Sequence, residues 1–108
     1  MKTNNKVAYI IGPYRASNPL DHRTQVLNIR KAEEKAIEYW QKGYAVICPH
    51  TNSSFFSGAC EEEVFMNGYL EILKRCDLVV MLPNWKESSG SRAEHQLAKK
   101  LGLRVIYS

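Results

Sequence analysis

The chain has 108 residues, 44% of them hydrophobic and 24% charged, the balance of one soluble globular domain with a single core. Its formal net charge is +4, and the Lys and Arg residues are spread along the chain, which argues against a module for nucleic acid polymers and suits an anionic small ligand. No apolar run approaches the ~18 residues of a membrane span, and Met1-Lys2-Thr3-Asn4-Asn5-Lys6 lacks the apolar stretch of a signal peptide, so a cytoplasmic protein without membrane contact is expected.

Val7-Ala8-Tyr9-Ile10-Ile11 reads as a buried first strand, broken by Gly12-Pro13. The segment from about Asp21 to Lys42 is helical. Its spacing places Val26, Ile29, Ala36, Ile37 and Trp40 on one buried face, with Glu34, Lys35 and Glu38 outward, and Gly43 suits the stop. Tyr44 to Cys48 forms a second strand ended by Pro49, and His50 to Cys60 reads as a loop rich in Ser, Asn and Gly. A helix from about Glu61 to Arg75 puts Phe65, Tyr69, Ile72, Leu73 and Cys76 on one face. Leu78 to Leu82 is a third strand. A last helix, about Ser91 to Leu101, is expected to bury Ala93, Leu97 and Leu101, and Leu103 to Tyr107 is a fourth strand.

Continuous apolar strands alternating with helices imply a parallel sheet covered on both faces. With right-handed crossovers this is a small doubly wound α/β domain, flavodoxin- or Rossmann-like, with four strands in the order 2-1-3-4. One domain spans residues 1–108. Cys48, Cys60 and Cys76 form no C-x-x-C pair, so neither a zinc site nor a disulfide framework is indicated, and Cys48 and Cys76 read as small buried residues. No metal motif is present, and Gly12 stands outside any G-x-G-x-x-G fingerprint, so no cofactor is expected.

A parallel sheet brings every strand's C-terminal end to one edge, where such folds bind ligands. Three patterns fall there. Tyr9, Gly12 and Arg15 form Y-x-x-G-x-x-R; Cys48-Pro49-His50-Thr51-Asn52 follows the second strand; Ser88-x-Gly90-x-x-x-Glu94 follows the third. In this order they resemble the nucleoside 2-deoxyribosyltransferase superfamily, above all its small bacterial and phage-type branch, and are similar to the 2′-deoxynucleoside 5′-monophosphate N-glycosidases. The likeness runs from Val7 to Tyr107.

That resemblance implies cleavage of the N-glycosidic bond of a (deoxy)nucleotide or nucleoside, through a glycosyl-enzyme intermediate passed to water or another base. The nucleophile falls on Glu94, and Tyr9 falls on the tyrosine that orients it. Gly12, Arg15, Ser88 and Gly90 fall on the loops that hold the sugar and a 5′-phosphate, and His50 falls where the second-strand loop approaches the base. One departure stands out: many relatives carry an acid for the leaving base eight positions before the Asp that opens the third strand, and counting back from Asp77 gives Tyr69.

Elementary chemistry is compatible with these roles. A carboxylate stabilises an oxocarbenium-like state before bonding to it, and in the first turn of a helix it is expected to be ionised. Glycine amides at Gly12 and Gly90 can approach a phosphate, and Arg15 can grip it bidentately. Each residue also has a plainer reading. Ser91 and Glu94 fit a capping box, Tyr9 a core aromatic, Arg15 a solvated charge, Ser88 a cap and His50 a loop hydrogen bond. An enzyme and a non-catalytic nucleotide sensor of the same fold both satisfy the pattern. Trp40, Phe55, Phe56, Phe65 and Trp85 exceed what a small core readily hides, which predicts a homodimer or higher homo-oligomer packed through apolar helix surface.

Overall fold

The computed structural model describes residues 4–108. Four strands, β1 (Val7–Ile11), β2 (Ala45–Ile47), β3 (Leu78–Met81) and β4 (Arg104–Tyr107), form one sheet in the order β2-β1-β3-β4. All three pairings are parallel, with Tyr9 opposite Ile47 on one side and Val79 on the other. Among the described residues four α-helices connect them, α1 (His22–Gln41), the short α2 (Pro49–Asn52), α3 (Glu62–Leu73) and α4 (Ser89–Lys100), with one 3-10 turn at Trp85–Glu87. The expected fold class and strand order are those observed.

Alternation along the strands divides the core in two. Ala8, Ile10, Val46, Leu78 and Val80 face Ala32, Ala36 and Tyr39 of α1. Tyr9, Ile11, Val79 and Met81 face Leu73 of α3 and Ala98 of α4. Burying each of Ile10, Ile11, Leu73 and Leu78 contributes about 1.5–3 kcal/mol. Cys48 and Cys76 are buried and free, as their sequence setting predicts, and Cys60 is exposed.

The face of α1 differs from expectation. Ala36 is buried as expected and Ile29 partly so, but Val26, Ile37 and Trp40 are 52%, 54% and 54% exposed, and Asn28, Ala32 and Tyr39 are buried in their place. Small Ala32 and Ala36 let the helix lie close on the sheet, and the larger apolar residues, about a third of a turn further round, face away from it. Asp21 caps this helix through Thr24, and Gly43, at φ 94°, ends it in the left-handed conformation expected.

Two further boundaries move. The segment after β2 begins with the helical turn α2, so His50 lies in α2 and not in an extended loop. The last helix starts at Ser89, two residues before Ser91, and Ser88 is its N-cap. Its buried residues are Ser91 and Ala98; Leu97 is partly buried, while Ala93 and Leu101 are exposed. No helix among the described residues is long and apolar enough to cross a membrane.

Candidate active site

The chain runs from β1 outward to β2 and then back across to β3, so the crossovers diverge between β1 and β3. A crevice opens at such a switch point, beyond the strands' C-terminal ends. The cavity found there has a volume of about 700 Å³, within the range of small-molecule sites. Gly12 and Arg15 after β1, His50 after β2, and Ser88, Gly90 and Glu94 after β3 all line it. Six of the seven sequence-predicted site residues therefore line one cavity, and Tyr9, fully buried, is joined to it only through Glu94.

Tyr9 lies on the sheet face that α4 covers, and its phenol donates a hydrogen bond to Glu94 Oε2. Burial pushes the Glu94 carboxyl up to about 7, and the bond from Tyr9 opposes that rise. The Tyr9 phenol is pushed far up by burial and by the neighbouring Glu94 charge, so it remains a donor.

This corrects two expectations. Glu94 is in the second turn of α4, too far along for the first-turn dipole to dominate, and desolvation keeps it half protonated near neutrality. The Ser91–Glu94 capping box does not form either: Ser88 Oγ accepts from the Ser91 amide at 3.1 Å, and Glu94 turns inward to Tyr9.

His50 is 3% exposed, and its Nε2 lies 3.0 Å from both Gly12 O and Pro13 O. A nitrogen facing two carbonyls must carry the proton, which fixes the Nε2–H tautomer. Burial pushes the ring's pKa down, so it is neutral at physiological pH. His50 thus ties α2 to the loop after β1. Asn28 of α1 supports the same loop by donating to Tyr14 O at 3.4 Å. The His50 ring also borders the cavity.

The glycines differ. A Cβ at Gly12 would lie 2.4 Å from Leu82 Cδ1, so its missing side chain permits close packing against the end of β3. A Cβ at Gly90 would meet nothing closer than Met66 Cε at 3.6 Å. Gly90 is the second residue of α4, where amides have no intrahelical acceptor, and it lies on the cavity wall. Arg15 is exposed at the cavity mouth and paired with Glu62, the first residue of α3.

Several cavity residues escaped the sequence reading. Glu62 stands in the run Glu61-Glu62-Glu63, where nothing local marks one carboxylate from the next. Phe65 and Met66 form apolar wall from α3. Ser91 also lines the cavity, and its Oγ is buried without a hydrogen-bond partner. No local pattern marks such a hydroxyl. Tyr69 lines the same cavity, its hydroxyl 2.6 Å from Ser53 Oγ and 3.1 Å from Asn52 Nδ2. Asp77 Oδ2 instead accepts from the Val7 amide at 2.7 Å, at the opposite end of the strands.

Fold and cavity together define an α/β protein with a ligand-sized site at the C-terminal edge of a parallel sheet. The chain belongs to the family described as a domain of unknown function, DUF4406, which matches residues 8–107. No curated protein matches it.

Proposed function

We propose that this protein cleaves or transfers the N-glycosidic bond of a (deoxy)nucleotide or nucleoside, with Glu94 as the nucleophile. The observation that carries the reading is the largely buried Glu94 carboxyl, held by the Tyr9 phenol on the wall of a cavity of about 700 Å³. The resemblance of the three strand-end motifs to the nucleoside 2-deoxyribosyltransferases supplies the reaction class.

In this reaction the ionised carboxylate attacks C1′ as the C1′–N bond breaks. The bonding pair leaves with the base, whose nitrogen takes a proton from solvent water. The resulting glycosyl ester on Glu94 is then cleaved by water or by a second base. Tyr9 fixes the attacking oxygen and stays protonated throughout. The α4 N-terminus around Ser88 and Gly90, together with Arg15, binds the sugar or its phosphate, and His50 holds the loop after β1 beside the base. The substrate is a cytoplasmic small molecule, and no cofactor takes part.

The working form is a homodimer or higher homo-oligomer. The half-exposed apolar residues of α1 support this, above all Ile37 and Trp40, which are neighbours three positions apart near the end of the helix.

A non-catalytic nucleotide sensor is the second reading, and Tyr69 favours it. A hydroxyl stands where many similar enzymes carry an acid, and it is occupied by Ser53 and Asn52. One assay separates the two. Incubation with the common (deoxy)nucleosides and their 5′-monophosphates, followed by chromatography, yields free base for an enzyme. Binding without base release supports the sensor.

A further inference from the structure

Among the described residues lining the cavity, Arg15 is the only Arg or Lys, whereas Glu62, Glu87 and Glu94 all contribute carboxyl groups. That arginine is already engaged. The Arg15 guanidinium projects from the loop after β1 and donates to Glu62 Oε1, which enters from the first turn of α3. An anionic ligand group that takes the Arg15 Nη2 edge must therefore compete with the carboxylate of Glu62, and a neutral ligand need not.

The pair is built for exchange. The two side chains are 58% and 72% exposed, so solvent screens their attraction and separation costs little. A displaced Glu62 also keeps a favourable setting, because a carboxylate in the first turn of a helix interacts with the positive end of the dipole. If Glu62 stays in place, a phosphate on the same guanidinium sits close to its like charge.

We infer that Glu62 is a specificity-determining residue, a built-in competitor for Arg15 that sets the balance between ligands with an anionic phosphate and their neutral counterparts. This rests on the nucleotide-or-nucleoside reading above and adds to it which residue weighs phosphorylated against unphosphorylated forms. Glu62 lies outside the Tyr9–Glu94 pair, and its carboxylate is a surface group whose removal should not disturb the core.

The test is titration calorimetry at low ionic strength with the four 2′-deoxynucleoside 5′-monophosphates and the four matching nucleosides. The proteins are the wild type, Glu62→Gln, Arg15→Gln and the double variant. Glu62→Gln should tighten the best-bound monophosphate about two- to five-fold and leave its nucleoside unchanged within about 1.5-fold. Arg15→Gln should weaken the monophosphate at least about ten-fold, and adding Glu62→Gln to it should restore little, because the competition has lost its object.

Unchanged or weaker monophosphate binding in Glu62→Gln overturns the inference while leaving the nucleotide reading intact. So does an equal gain for the nucleoside, or the same gain in the Arg15→Gln background. If neither the wild type nor Glu62→Gln binds any of the eight compounds, the nucleotide reading itself falls, and the inference with it.

Discussion

Tyr9 and Glu94 are 85 positions apart in the chain, and the Tyr9 phenol donates directly to the Glu94 carboxylate. The contact depends on register. Tyr9 is paired with Val79 on β3, the strand that feeds α4, and its side chain points to the sheet face that α4 covers. A one-residue slip of β1 would turn Tyr9 toward α1 and remove the contact.

The raised Glu94 carboxyl gives a dependence on pH with a definite sign. As nucleophile it acts ionised, so base release should climb with pH along one limb, half complete near pH 7. Stability should move the other way. The folded-state pKa is raised from 4.5 to about 7, so the contribution is full below 4.5 and is lost as pH rises through 7. Glu94→Gln keeps an acceptor for Tyr9 and carries no charge. It should abolish base release yet be more stable than wild type at pH 8, by up to roughly 3 kcal/mol, with no difference near pH 4. Urea denaturation at both pH values checks this, and equal stabilities at pH 8 would contradict the burial argument.

His50 should act through the backbone it holds. Gln can present an N–H near the Nε2 position, whereas Leu fills space without a donor. His50→Leu leaves the carbonyls of Gly12 and Pro13 without this donor and should cost about 1–3 kcal/mol. His50→Gln should recover much of that. Thermal melts of the two variants make the comparison, and identical losses would show that ring packing, not the hydrogen bond, is what matters.

Gly12→Ala and Gly90→Ala should part company. The first drives a Cβ into Leu82 and should cost about 1–3 kcal/mol. The second has room, so stability should stay within about 1 kcal/mol, but the added methyl borders the cavity and should weaken nucleotide binding. Gly90→Ala that folds and binds like wild type would remove that amide from the site.

Serine substitutions distinguish the two possible caps of α4. Ser88→Ala should cost about 0.5–2 kcal/mol, because it removes the acceptor for the Ser91 amide. Ser91→Ala deletes a buried hydroxyl with no partner and should be neutral or stabilising in chemical denaturation. The opposite ranking would restore the capping box.

Self-association through α1 should depend on its exposed apolar residues. Light scattering of the wild type at micromolar concentration should report a dimer or larger species. Trp40→Glu places a charge beside Ile37 and should give a folded monomer. A monomeric wild type would overturn the proposal.

The sequence by itself determined the fold, since unbroken apolar strands alternating with helices admit few arrangements once crossovers are right-handed. It also placed Gly12, Arg15, His50, Ser88, Gly90 and Glu94 at one edge, because parallel strands send all their C-terminal ends there. It misjudged the face of α1, because several faces of that helix carry apolar residues and only contact with the sheet selects among them. It placed Glu94 at a helix start and expected an ionised group. The cap at Ser88 and the burial behind Tyr9 are long-range facts, and desolvation reverses the direction of the pKa shift. The tie of His50 to Gly12 and Pro13 and the pairing of Arg15 with Glu62 were likewise invisible, since each joins segments more than thirty positions apart. Local pattern fixes which elements form, but the partner of a polar side chain is settled only when the elements pack and water is excluded between them.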